Sequence, residues 1–294
     1  MPFDRATLEA AIQASGGATQ PDGQVEGLLA KLQFLEGTGR YGTLLKGIGA
    51  ANNKSNFLAL ILEATFADQF ERAGLTLGYE VKQLPGQTSS IDFSMKLPSG
   101  ELAYFELRLL QQDAATTANI AKQLAKTGAF GVLKDGADEQ AEVFKVQSTI
   151  LGKVENKDGK AIKFLKVDES TINIVAICIS DILLGTADLY DCLLATYGDP
   201  EVPEHCRRQV FGMFQEAKAE YPAHIHQAAV RFAHFRTTVH AVLFLFKPPN
   251  SGVLDYRLQQ VLVWNRGLIA AERAQPVCEQ VFAAVGHLGE PRTC

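Results

Sequence analysis

The sequence predicts an α/β chain: a three-layer sandwich with a central mixed sheet, preceded by a helical lead-in. Three observations predict it. Residues 25–36 and 56–74 carry apolar side chains at helical spacing. The period changes to two across residues 90–110, on either side of the turn signal Pro98-Ser99-Gly100. The run TINIVAICIS (171–180) is almost continuously apolar and β-branched, as a strand buried on both faces requires.

The elements follow in order. Residues 1–55 form the lead-in, with Val25, Leu28, Leu29, Leu32 and Leu35 on one helical stripe. The Gly-rich stretch 37–55 reads as a connector with room for one short helix. A helix over 56–74 has Ser55 as its candidate cap and Gly74 at its end. Residues 76–84 read as a short strand. Residues 90–97 and 101–110 form a β-hairpin, with Ile91, Phe93 and Met95 on one face. Amphipathic helices are predicted over 115–128 and 138–156, and the tract KDGKAI (157–162) reads as a turn. Helical text follows the buried strand at 181–197, around 203–220 and at 221–236. Two late strands, 240–246 and 259–265, complete the sheet. The boundaries divide the chain into the lead-in (1–55) and an α/β domain with a C-terminal sheet extension (56–294).

Composition sets limits. The 294 residues are 47% hydrophobic and 21% charged, enough to bury a core, which excludes a wholly disordered chain. No apolar run is long enough to predict a transmembrane helix. The opening MPFDRATLEA has no basic segment followed by an apolar one, so no signal peptide is expected. Five scattered cysteines fit a reduced, cytoplasmic chain. A net charge of −5 excludes a global basic field for nucleic acid, but not a local site.

Three acids stand at informative places. Glu63 is embedded in LALILEATF, where a buried carboxylate is costly without a partner. Asp92 is the polar position between Ile91 and Phe93. Glu106 and Arg108 share one face of the next strand, with Leu107 opposite. The hairpin brings Asp92 toward that face. Two carboxylates on adjacent strands make a hard-oxygen site suited to Mg²⁺ or Mn²⁺, completed by water and substrate phosphate.

On these residues, over roughly 56–180, the chain resembles the PD-(D/E)XK nuclease superfamily, the restriction-endonuclease-like fold. The matching parts are Glu63 on the helix, Asp92 on the second strand and Glu106-Leu107-Arg108 on the third. The resemblance implies Mg²⁺-dependent hydrolysis of nucleic acid, DNA first. Asp92 and Glu106 would be the metal ligands, Glu63 a supporting residue and Arg108 a phosphate-holding one. Two positions depart from the pattern: Ile91 stands where Pro is usual, and Arg108 replaces Lys. Arginine stabilises phosphate charge but stays protonated, so it is no base. The alternative is a catalytically inactive protein of this fold acting as a binding or assembly module with a protein partner. Coincidence, with Glu106 and Arg108 an ordinary exposed pair, is a third reading. A homodimer is compatible with the fold, although no motif points to one.

Gly37-Thr38-Gly39-Arg40-Tyr41-Gly42 matches GxGxxG but follows a helical pattern rather than a strand. His224, His226, His234 and His240 have no carboxylate or Cys at a ligand spacing and read as surface or satisfied residues. The lysines over 145–166 are balanced by as many acids across 111–170 and read as a solvated helix and turn, with a phosphate-contacting edge as the alternative. Gln111 and Gln112 are candidates to line the site.

Overall fold

A computed structural model describes residues 3–17, 20–83, 89–111, 114–128, 136–156, 158–164, 167–181, 189–198, 210–221, 223–248 and 251–286. Its helices are α1 (Arg5–Ala14), α2 (Asp22–Gly37), α3 (Gly42–Gly49), α4 (Lys54–Arg72), α5 (Ala114–Thr127), α6 (Gly136–Val154), α7 (Leu189–Tyr197), α8 (Ala223–Arg231), α9 (Ala233–Thr238) and α10 (Ala271–Val285). Its strands are β1 (Leu77–Val81), β2 (Ile91–Lys96), β3 (Leu102–Gln111), β4 (Thr171–Asp181), β5 (Ala241–Phe246) and β6 (Gln259–Trp264). They form one six-stranded sheet in sequential order. The β1–β2, β2–β3 and β5–β6 pairs are antiparallel, and β3–β4 and β4–β5 are parallel. The sheet is therefore mixed, as the sequence predicts.

Two cores flank the sheet. One joins α1–α4 and α10 to Phe93, Phe105, Leu107 and Ile174. The other joins α6–α9 to Tyr104, Val175, Ile177 and Phe244. Neighbours on β3 and β4 thus alternate between cores, which explains the unbroken apolar run of β4. On the first side, Phe66 of α4 packs against Phe93 and Phe105 at 5.4 and 5.6 Å between ring centres. Phe70 packs on Phe105 at 5.7 Å. This aromatic contact fixes α4 across β2 and β3.

The hairpin turn forms as predicted. Gly100 takes φ +91, and its N–H donates to Leu97 O at 2.9 Å. The GxGxxG stretch joins α2 to α3 and follows no strand.

Several expectations are corrected. Asn53, not Ser55, caps α4: its side chain accepts the Asn56 N–H at 2.9 Å. Ser55 instead bonds the side chain of Gln111. Ile91 does not share a core with Phe93 and Met95 but joins the opposite one. Helix does not form over 210–221. That segment runs along the end of α7, with Met213 N donating to Ala195 O at 3.0 Å and Phe214 N to Thr196 O at 2.8 Å. The approach is so close that a Cβ on Gly212 would lie 2.3 Å from the Tyr197 carbonyl carbon. Residues 182–188 and 203–209, also expected to be helical, lie outside the described residues. No element is predicted over 271–285; helix α10 forms there with Pro276 in its second turn, where the Glu272 carbonyl loses its helical donor.

Candidate functional site

The site is built where the hairpin pairing stops. β2 and β3 pair from Lys96↔Leu102 to Phe93↔Phe105 and no further. Opposite this point β1 keeps Tyr79↔Phe93 and Val81↔Ile91, while Glu80 between them takes φ +51. That left-handed conformation costs a non-glycine residue roughly 1–2 kcal/mol. Either side of it the facing switches: Tyr79 and Phe93 turn to the α4 core, Val81 and Ile91 to the α6 core. Asp92 stands at the switch. The Leu107 N–H donates to Asp92 Oδ2 at 2.7 Å, so the carboxylate takes the place of a strand partner.

Glu106 is fully buried, and both its oxygens are occupied. Lys153 of α6 donates to Oε1 at 2.7 Å, and Lys163, in the turn after α6, donates to Oε2 at 2.9 Å. Lys153 Nζ also lies 3.8 Å from Asp92 Oδ2. One ammonium therefore joins the two carboxylates. Lys163 bonds Ser90 O as well, tying the turn to the start of β2. Glu63 stands one helical turn before Phe66, whose packing holds this side of α4 to the hairpin. Its Oε2 accepts the Tyr79 hydroxyl at 2.8 Å.

The electrostatics follow from burial. Desolvation and the negative charge of Asp92 push the Glu63 carboxyl up to about 7, against the opposing Tyr79 hydroxyl. Desolvation and Glu106 push Asp92 up to about 6, against Lys153 and the Leu107 N–H. Burial pulls Lys153 down, but Asp92 and Glu106 outweigh it, and the net shift is upward. Burial and Glu63 raise the Tyr79 phenol above its ordinary range.

Beside these carboxylates lies an open cleft of about 580 Å³, which Glu63 and Lys153 line and Asp92 and Glu106 do not. Asn53, Ser55, Asn56 and Glu63 of α4 line one wall. Leu107, Arg108 and Gln111 of β3 form the floor, and Lys145, Thr149 and Lys153 of α6 the other wall. The last three recur every four residues on one face of α6. The lining carries three cationic side chains and one carboxylate, a local inversion of the net charge of the chain.

Asp92 and Glu106 thus meet at one ammonium, and Glu63 adjoins them. Arg108 faces the cleft and makes no ion pair among the described residues. An exposed Glu106–Arg108 pair is not what forms, because Glu106 is buried and its partners are lysines. Gln111 lines the cleft, donating to Ser55 O at 2.9 Å; Gln112 lies outside the described residues. The sequence places Lys153 and Lys163 in a solvated stretch or on a phosphate-contacting edge and gives Tyr79 no role; it does not foresee that both lysines pair with Glu106. The four-residue spacing of Lys145, Thr149 and Lys153 was the available signal.

Among the described residues no group of three His, Cys, Asp or Glu surrounds a common metal position. The donor set for a divalent ion is the pair Asp92 and Glu106. Mg²⁺ needs only one or two carboxylates besides water and phosphate, so the pair fits it. Glu106 raises the Asp92 carboxyl by repulsion, and Lys153 and Lys163 offset part of it. His240 is fully buried: its Nδ1 accepts the Asn173 N–H at 3.0 Å, but its Nε2, like that of His234, has no hydrogen-bond partner among the described residues, so these two are not the surface or satisfied histidines expected.

No family model, curated protein or solved structure matches this chain.

Proposed function

We propose that the chain is a Mg²⁺-dependent phosphodiesterase of the restriction-endonuclease-like class, hydrolysing nucleic acid, with DNA as its substrate. The observation that carries this is the meeting of Asp92 and Glu106 at Lys153, beside a polar cleft that also holds Arg108. Asp92 and Glu106 would hold the ion, which when bound lowers the pKa of a coordinated water and offsets charge on the phosphate. Arg108 grips the scissile phosphate through its planar fork. Lys153 adds a second cation beside Arg108; its pKa is raised, so it too stays protonated and serves as a charge rather than as a base. Glu63 adjoins the pair, its carboxyl raised to about 7 in the metal-free chain by burial and by Asp92, and supports the site through its bond to the Tyr79 hydroxyl.

Plasmid nicking with Mg²⁺ or Mn²⁺ tests the proposal. Wild type should nick and Asp92→Ala should not. Equal residual activity in both would count against this site.

One observation favours a second reading. Both Glu106 oxygens already hold ammonium partners, so the site is neutralised without a metal. On that reading the chain is an inactive relative that binds a protein partner. A saturable Mn²⁺ binding event that disappears in Glu106→Gln would contradict it.

Among the described residues no helix is long and apolar enough to cross a membrane. The five scattered cysteines of the sequence support placing the protein in the cytoplasm.

A further inference from the structure

The two lysines on Glu106 are not equivalent. Lys163 is held twice on the protein side, by Glu106 Oε2 and by Ser90 O, in a turn that Ser89 also fastens through Ile162 O at 2.9 Å. It forms no part of the cleft lining. Lys153 approaches Asp92 and Glu106 from the cleft side, at 3.8 and 2.7 Å, and is itself a cleft wall residue. Its ammonium stands between the same two carboxylates that would share a divalent ion. A lysine stem is flexible, and its charge is a compact point. Arg108, the other cation at this end of the cleft, is committed to no carboxylate among the described residues.

We propose that Lys153 is a built-in stand-in for the divalent cation: it holds Asp92 and Glu106 together before the ion enters and is displaced into the cleft when it does. Lys163 stays in place and positions Glu106. The proposal rests on the metal-site reading above. It assigns Lys153 two successive partners, the carboxylate pair before loading and the substrate phosphate beside Arg108 after it. The displacement exchanges one cation for another at the carboxylates, so no charge is left uncompensated there.

The two lysines then have opposite effects on metal binding. Lys153→Met removes the competitor and leaves both carboxylates available. Lys163→Met frees Glu106 to turn away from Asp92. Calorimetric titration of Mn²⁺ into the full chain without nucleic acid reads this directly. Lys153→Met should bind about tenfold tighter than wild type and Lys163→Met about tenfold weaker. Lys153→Gln should behave as Lys153→Met, and thermal melting of each variant confirms that it is folded. Lys153 variants should also lose nicking despite tighter metal binding, a split that general damage to the fold does not produce.

Wild-type binding that is lost in Glu106→Gln but is unchanged or weakened in folded Lys153→Met and Lys153→Gln would overturn the stand-in and leave the metal site intact. Absence of Mn²⁺ binding in wild type and all lysine variants would overturn both.

Discussion

The two ends of the β2–β3 hairpin differ in what satisfies the backbone. At the closed end, Lys96↔Leu102 through Phe93↔Phe105 pair in register and the turn closes on Gly100. At the open end pairing stops, Asp92 takes over the Leu107 N–H, and Glu106 is buried between lysines. Ladder hydrogen bonds leave side chains free only to pack. Where the ladder ends, side chains must satisfy backbone groups, and charged ones can be held in a fixed, dry arrangement. The candidate chemistry lies where the regular structure fails, a pattern seen at functional sites generally.

Removing the buried acid should sharpen this contrast most. Glu106→Ala leaves the Lys153 and Lys163 ammoniums without their shared carboxylate, and breaking a buried pair costs about 3–5 kcal/mol. Urea denaturation checks it, with an unchanged m-value expected. A loss below about 1 kcal/mol would mean that the lysines find other partners or solvent easily.

Asp92 separates charge from capping. Asp92→Ala leaves the Leu107 N–H unpaired at a cost of about 1–3 kcal/mol. Asp92→Asn keeps an acceptor for that N–H and should recover most of the stability, while abolishing Mn²⁺ binding. If Asn were as destabilising as Ala, the hydrogen bond would not be the stabilising contact.

The pH dependence follows from Glu63 and Asp92. Their carboxyls are raised to about 7 and about 6 in the folded chain, above ordinary carboxyl values. At these two groups the folded state therefore binds more protons than the unfolded one between about pH 4 and pH 7. The stability these two groups contribute is full below that window and is lost as the pH rises through it; buried His240, pulled down to about 4, opposes them over the lower part of the window. Thermal melts in chelator should show a lower Tm at pH 8 than at pH 5, and Glu63→Gln should flatten the difference. A Tm that rises over this interval in wild type would contradict the raised carboxyls.

At the closed end effects should be smaller and confined to folding. Gly100→Ala forces a Cβ into φ +91 and should cost about 1 kcal/mol. Mn²⁺ affinity should not change, since the turn lies at the far end of the hairpin from Asp92. A changed affinity would mean that the two ends are coupled.

The hairpin and the buried strand were legible in the sequence because period two and the turn residues are local signals. Asp92, Glu106 and Arg108 were legible for the same reason: their facing follows from counting along strands. Lys153 and Lys163 were not, although they decide the electrostatics of the site. Their role depends on α6 crossing β3, a contact nearly 50 residues removed in sequence from Glu106, and in composition they resemble any solvated basic stretch. Ile91 was placed on the wrong face because strict alternation cannot foresee the switch at Glu80 and Asp92.

The most direct measurement is anomalous scattering from crystals of the full chain soaked in Mn²⁺. The prediction is a peak bridging Asp92 and Glu106, with the Lys153 side chain moved toward Arg108. Crystals that remain ordered, show no peak there, and keep Lys153 between the two carboxylates would contradict the metal site and its proposed chemistry together.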